Sequence, residues 1–207
     1  MSVLTANTVI TSKLWAQPSD RTMAVLREAV LIVGFALLTA AAAQWEFKLG
    51  FTPVPITGQT FAVLISGAAL GMRSGAASQA LYWAMGLAHL PFFAGGKGGW
   101  KDGTGSTMGY LVGFVVAAAV IGYMAERRQD RNLASSFAAM AAGTVVIYVL
   151  GAAWLMFKLD IPLEGNDGAN AMAYGVTPFL VGDFVKLLAA GAVMPVAWSI
   201  VGRAKKG

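Results

Sequence analysis

Six long apolar runs, separated by short polar or glycine- and proline-rich breaks, set the pattern of this chain. The first runs from about Ala24 or Ala29 to Trp45. The second opens at Ile56-Thr57-Gly58-Gln59-Thr60 and ends near Met72, and the third follows after almost no loop, from Ser74 to Leu90. The fourth covers Thr107–Met124, the fifth Ser136–Phe157 and the sixth Thr177–Val201. Runs of about 17–22 residues match a hydrocarbon core of about 30 Å at 1.5 Å rise per residue. The pattern predicts an all-α integral membrane protein, a compact bundle of six transmembrane helices. Thr177 reads as an N-cap with Pro178 at the first helical position, and Pro195 as a kink in the sixth helix.

Composition agrees with the pattern. Of 207 residues, 57% are hydrophobic and 12% charged, against about 25% charged in soluble domains. The chain contains no cysteine and one histidine, so thiolate sites and histidine-rich metal sites are excluded. The net charge of +5 is read through its distribution, not as a nucleic-acid signal. Lys13, Arg21, Arg27, Arg73, Arg127, Arg128, Arg131, Arg203, Lys205 and Lys206 fall on one side of a six-span topology; only Lys48, Lys97, Lys101 and Lys158 fall on the other. The excess puts both termini in the cytoplasm. Residues 1–23 then read as a cytoplasmic tail or surface helix, 24–202 as the transmembrane domain and 203–207 as a basic cytoplasmic tail. The stretch Ala40-Ala41-Ala42-Ala43-Gln44 imitates a signal cleavage site, but five more apolar runs follow, so the first run is expected to remain as a span.

Three breaks share the outer side. Glu46 to Pro55 carries two prolines that force an extended path. Pro91 to Gly105 is rich in glycine and able to lie close to a ligand or move as a lid. It lacks a GKS/T ending and a preceding strand, so it is not a phosphate loop. Lys158 to Asn170 is acidic.

Beneath these loops, Asp183 and Lys186 lie inside the sixth run, where a charge at the bilayer centre costs about 2.5–3.5 kcal/mol on insertion scales. Three residues apart, they share a helix face, about 5–6 Å apart at Cβ. Asp183 enters roughly 9 Å from the outer end of that helix. Gln59, Gln79, Tyr82 and Tyr110 add donors and acceptors, while Phe92, Phe93 and Trp100 can cover an apolar body. Such a group of residues suits a small molecule with an amide-like head and an acid; a self-satisfied Asp–Lys pair is the alternative. No nucleophile is paired with a base, so no enzyme is expected, and no ATP-binding motif is present. Gly/Ala residues four apart in the first run put Ala36 and Ala40 on one smooth stripe, suited either to internal packing or to a partner helix.

In order along the chain, Pro53-Val54-Pro55-Ile56-Thr57-x-Gln59-Thr60, Phe93-Ala94-Gly95-Gly96-x-Gly98-Gly99, Gly109-Tyr110-Leu111-x-Gly113-Phe114 and Gly182-Asp183-x-x-Lys186 resemble the BioY family. These are the biotin-specific substrate-binding components of energy-coupling-factor transporters. The resemblance implies a six-helix protein of the cell (cytoplasmic) membrane that binds biotin from outside. It implies as partners a transmembrane coupling protein and two ABC-type ATPases, with no cofactor. By resemblance, Asp183, Lys186, Gln59, Tyr82, Tyr110 and the loop residues Ala94, Gly95 and Gly96 bind substrate, joined from the same motifs by Thr57 and Phe93; Ala36 and Ala40 dock the coupling protein. On chemical grounds Asp183 would take the ureido N–H groups and Lys186 the carboxylate. An autonomous secondary transporter, proton-coupled through Asp183, is the competing expectation.

Overall fold

The apolar runs all become helices, though not all of spanning length. The computed structural model describes residues 9–15, 18–165 and 169–203. Its elements are α1 (Ile10–Leu14), α2 (Arg21–Ala43), β1 (Glu46–Phe47), β2 (Ile56–Thr57), α3 (Gln59–Leu70), α4 (Met72–Leu87), α5 (Trp100–Gly103), α6 (Met108–Glu126), α7 (Leu133–Leu159), α8 (Ala171–Gly175) and α9 (Leu180–Arg203). Among the described residues four helical stretches are long and apolar enough to cross a membrane: α2, α6, α7 and Ala171–Val201. The second and third runs form α3, of 12 residues, and α4, of 16. At 1.5 Å per residue these reach only about 18 and 24 Å. Val30, Val33 and Leu37 on α2, Val145, Val149 and Phe157 on α7, and Val181, Val185 and Val196 on α9 are all exposed. Apolar outer faces of this extent belong against lipid, and the chain is a multi-pass membrane protein.

Local chemistry sets the boundaries. Asp20 caps α2 by accepting from the Met23 amide (2.9 Å), and Asn132 caps α7 by accepting from Ser135 (2.9 Å). Between α3 and α4 the chain turns at Gly71 with φ +85°, a conformation that favours glycine. Glu126, at the end of α6, closes this break by accepting the Met72 amide at 2.9 Å. The sixth run begins differently from expectation. Thr177 makes no side-chain cap; Thr177–Phe179 is a single 3₁₀ turn, and Asn170 caps the preceding α8 by accepting from Ala173 (2.8 Å). The capping residue thus lies seven residues upstream of Thr177 and serves the separate short α8. Pro195 lies inside α9 as expected, leaving the Gly191 carbonyl without its usual N–H partner.

α6 is the central helix, packed against α3, α4 and α7, while α9 lies on α7 and α3. Gly67 is one reason α3 and α6 approach so closely: a Cβ there would sit 2.7 Å from the Ala118 carbonyl oxygen. The described part of the N-terminus is docked to the bundle. Thr11 Oγ1 donates to the Ala69 carbonyl (2.7 Å), and Arg27 donates to the Thr11 carbonyl (2.6 Å). Lys205 and Lys206 lie outside the described residues.

Two expectations are corrected by packing. Ala36 and Ala40 are 0% and 5% exposed, on the inward face of α2 within the main core. The stripe is used in internal packing, and the opposite face of α2, with Gly34, Leu37, Leu38 and Ala41, is the exposed one. Gln79 is fully buried. Its amide group donates to Ser66 Oγ (2.9 Å) and to the hydroxyls of Thr39 and Ser78 (3.2 Å each), knotting α2, α3 and α4 together outside the cavity described below.

Candidate functional site

At the end of the bundle where α3, α6 and α9 begin, the helices diverge around a cavity of about 80 Å³. It opens against a wider basin of about 450 Å³ lined by the loops that follow α2 and α4. Pro55, Phe93, Ala94 and Thr107 line both spaces and form the partition between them. The extended, proline-containing loop is fixed at its base by antiparallel pairing of β1 and β2, with Glu46 opposite Thr57. The glycine-rich loop folds back on itself through Gly95 (φ +70°) and Gly96 (φ +69°), which aims Phe93 inward and buries it.

Asp183 is the electrostatic centre. Its residue exposure is 6%, and three donors converge on its carboxylate. Lys186 Nζ donates to Oδ1 at 2.6 Å, Thr60 Oγ1 to the same oxygen at 2.9 Å, and the Tyr148 hydroxyl to Oδ2 at 2.8 Å. A carboxylate offers about four acceptor sites, so one remains for a ligand. Lys186 also approaches Thr60 Oγ1 at 3.3 Å, leaving one of its three N–H donors uncommitted. The pair is thus satisfied enough to survive in an apolar wall, yet keeps one acceptor and one donor in reserve.

A second polar chain runs from the cavity to the loop. Gln59 Oε1 accepts from Thr57 Oγ1 (2.9 Å), Gln59 Nε2 donates to the Tyr82 hydroxyl (2.6 Å), and that hydroxyl donates to the Phe92 carbonyl (3.3 Å). The Phe93 ring meets Tyr82 edge-on, with centroids 5.9 Å apart at 84°. Tyr110 lines the cavity with its ring, while its hydroxyl is committed to the Gly175 carbonyl at 2.7 Å. Leu111, Phe114, Ile147 and Phe179 complete an apolar wall.

Of the residues expected at the site, Asp183, Lys186, Thr57, Gln59, Tyr82, Phe93, Ala94 and Tyr110 are gathered around the cavity. Gly95 and Gly96 are not in its wall: Gly95 lies against Glu46, and Gly96 donates its amide to Gln44 Oε1 at 3.1 Å. Trp100 is 69% exposed and covers nothing in the cavity. Thr60, Thr107 and Tyr148 are additional wall residues that the sequence reading did not assign. Thr60 stands beside Gln59 in a quoted motif, and Tyr148 is a polar tip in an apolar run, the same signal that pointed to Tyr82.

The architecture defines a class: a polytopic helical membrane protein with a small, mostly apolar cavity whose wall carries an ion pair of a buried Asp183 and a partly buried Lys186. Comparison with known proteins narrows it. A model of the BioY family matches residues 11–203, and the chain belongs to the BioY family. The chain is 36% identical over 159 residues to the "Biotin transporter BioY" of Thermotoga maritima, covering 77% of this chain and 88% of that protein. It is 35% identical over 179 residues to the "Biotin transporter BioY" of Rhodobacter capsulatus, covering 81% and 90%. Its fold is that of the crystal structure of the S-component for biotin from an ECF-type ABC transporter: TM-score 0.71, 21% identity, 92% of this chain and 96% of that one.

Proposed function

We propose that this protein binds biotin at its extracytoplasmic face and carries it across the membrane as the substrate-specific component of an ECF-type ABC transporter. Membership of the BioY family and the names of its relatives supply the ligand. The observation that carries the reading is the Asp183–Lys186 pair, held by Thr60 and Tyr148 in the wall of an otherwise apolar cavity beneath the Phe93 loop. A ureido group offers N–H donors and a carbonyl, and the pair has an acceptor and a donor to spare for such a head. The apolar wall of Leu111, Phe114 and Ile147 suits a sulfur-containing ring. The inner cavity is far below the roughly 300–1,000 Å³ of ordinary ligand sites, so a bound molecule needs the partition to yield or the basin to take its tail.

In this reading α3 and α4 count as two short spans, giving six in residues 24–202. Both termini (residues 1–23 and 203–207) face the cytoplasm, a placement supported by the distribution of Lys and Arg. The protein sits in the cytoplasmic membrane. A transmembrane coupling protein docks on the outward face of α2, and two ABC-type ATPases supply the energy that this chain has no motif to supply. Binding of radiolabelled biotin to the purified protein tests the ligand. Affinity unchanged in the Asp183→Asn, Lys186→Ala double variant would reject the assigned site.

A further inference from the structure

Gln44 stands at the C-terminal end of α2, outside the cavity, yet its side chain spans the gap to the loop that closes it. Its Nε2 donates to the Ala40 carbonyl at 3.0 Å, within its own helix. The same amide group points between the carbonyls of Phe92 and Phe93, at 3.5 and 3.4 Å, and its Oε1 accepts the Gly96 amide at 3.1 Å. The Gly96 amide also reaches the Phe93 carbonyl at 3.1 Å, so Gln44 sits across the turn that aims Phe93 and Ala94 inward. On its opposite side the loop is held by Tyr82, whose hydroxyl donates to the Phe92 carbonyl and whose ring packs against Phe93. The Tyr82 tether belongs to the cavity wall; the Gln44 tether belongs to α2, a helix packed mainly on α3 and α4 with its other face open.

We propose that Gln44 is a positioning residue: it clasps the 92–96 loop to the end of α2 and so sets how long the loop stays closed over a bound ligand. Because the clasp is carried by α2, a displacement of that helix relative to α4 pulls on the loop directly. The outer face of α2 thereby gains a mechanical line to the cavity that bypasses the core. This inference rests on the reading that the cavity takes biotin.

The test is biotin dissociation from purified full-length protein, measured for wild type, Gln44→Ala and Gln44→Glu, together with melting temperature and amide hydrogen exchange. Gln44→Ala removes the bond from the Gly96 amide and the two longer contacts to the Phe92 and Phe93 carbonyls, and should speed dissociation by at least about fivefold, the effect of one ordinary net hydrogen bond. Exchange should rise in peptides covering residues 91–99 and stay constant elsewhere, with an unchanged melting temperature. Gln44→Glu keeps an acceptor for the Gly96 amide and should restore much of the slow dissociation. Unchanged dissociation in Gln44→Ala overturns the proposal. So does a faster rate accompanied by a lower melting temperature and exchange rising throughout the chain, which indicates general loosening. Wild-type protein that fails to hold biotin at all would overturn the ligand reading, and this inference with it.

Discussion

Asp183→Asn separates what the acid does for the fold from what it does for a ligand. In the native protein its carboxylate receives Lys186 at 2.6 Å, Thr60 at 2.9 Å and Tyr148 at 2.8 Å. The amide keeps the shape but removes the charge and turns one acceptor oxygen into a donor. Lys186 is then left with Thr60 in a largely apolar wall. Losing one partner of a fully buried pair costs about 3–5 kcal/mol. The Lys186 side chain is 20% exposed, and the amide can still accept from one neighbour, so a loss near 1–3 kcal/mol is expected. On the ligand side, a lost charge-assisted hydrogen bond is worth about 1.5–3 kcal/mol, which raises Kd by roughly 10- to 150-fold. Equilibrium binding of radiolabelled biotin and a thermal melt in detergent read the two effects separately. Adding Lys186→Ala removes the stranded ammonium and should recover much of the melting temperature while leaving affinity low. Affinity within twofold of wild type in the single variant would refute the role of Asp183. Affinity restored by the second substitution would show that repulsion from a stranded charge, rather than a lost contact, weakened binding.

Three further outcomes follow from other contacts. Tyr148→Phe deletes one donor to Asp183 Oδ2 and should weaken biotin binding about fivefold in the same assay, with little change in melting temperature. Gly67→Ala places a Cβ 2.7 Å from the Ala118 carbonyl oxygen and 3.0 Å from its Cα, forcing α3 and α6 apart; about 1–3 kcal/mol of stability should be lost, read by thermal or denaturant melting. In the turn between α6 and α7, burial holds the Asp130 carboxyl above its ordinary value of about 3.8, opposed chiefly by the hydrogen bond from the Trp198 indole. The folded chain therefore keeps a proton that the unfolded chain has released. Stability falls as pH rises from the ordinary carboxyl value through the raised one, and Asp130→Asn should flatten that part of the melting-temperature profile.

The charged pair was legible in sequence because a charge within an apolar run is costly enough to demand a reason; its distance from the helix end was not, since α9 begins at Leu180 and Asp183 stands in its first turn. Tyr148 carried the same signal as Tyr82, a polar tip in an apolar run, but whether it reaches the cavity depends on how α7 is rotated against α9. Gln79 shows the same limit from the other side. A buried amide can be satisfied by a ligand or by neighbouring hydroxyls, and only packing put Thr39, Ser66 and Ser78 within reach. Ala36 and Ala40 were correctly placed on one stripe, but spacing carries no sign for inward or outward. Helix lengths were less legible in the second run, whose end near Met72 agrees with α3 ending at Leu70 but whose start does not: Ile56–Thr57 form β2, and α3 begins only at Gln59. The short α8 capped by Asn170 was hidden because Thr177-Pro178 offered a stronger local signature for a helix start.

The partition formed by Phe93, Ala94, Pro55 and Thr107 has a kinetic meaning beyond its shape. In the proposed reading a molecule in the inner cavity leaves past the loop that carries Phe93 and Ala94, so its escape is timed by movement of residues 92–96 and not by the surrounding concentration. On that reading the occupied protein would be a store with its own clock: once loaded, it would outlast an interval in which the outside medium is empty.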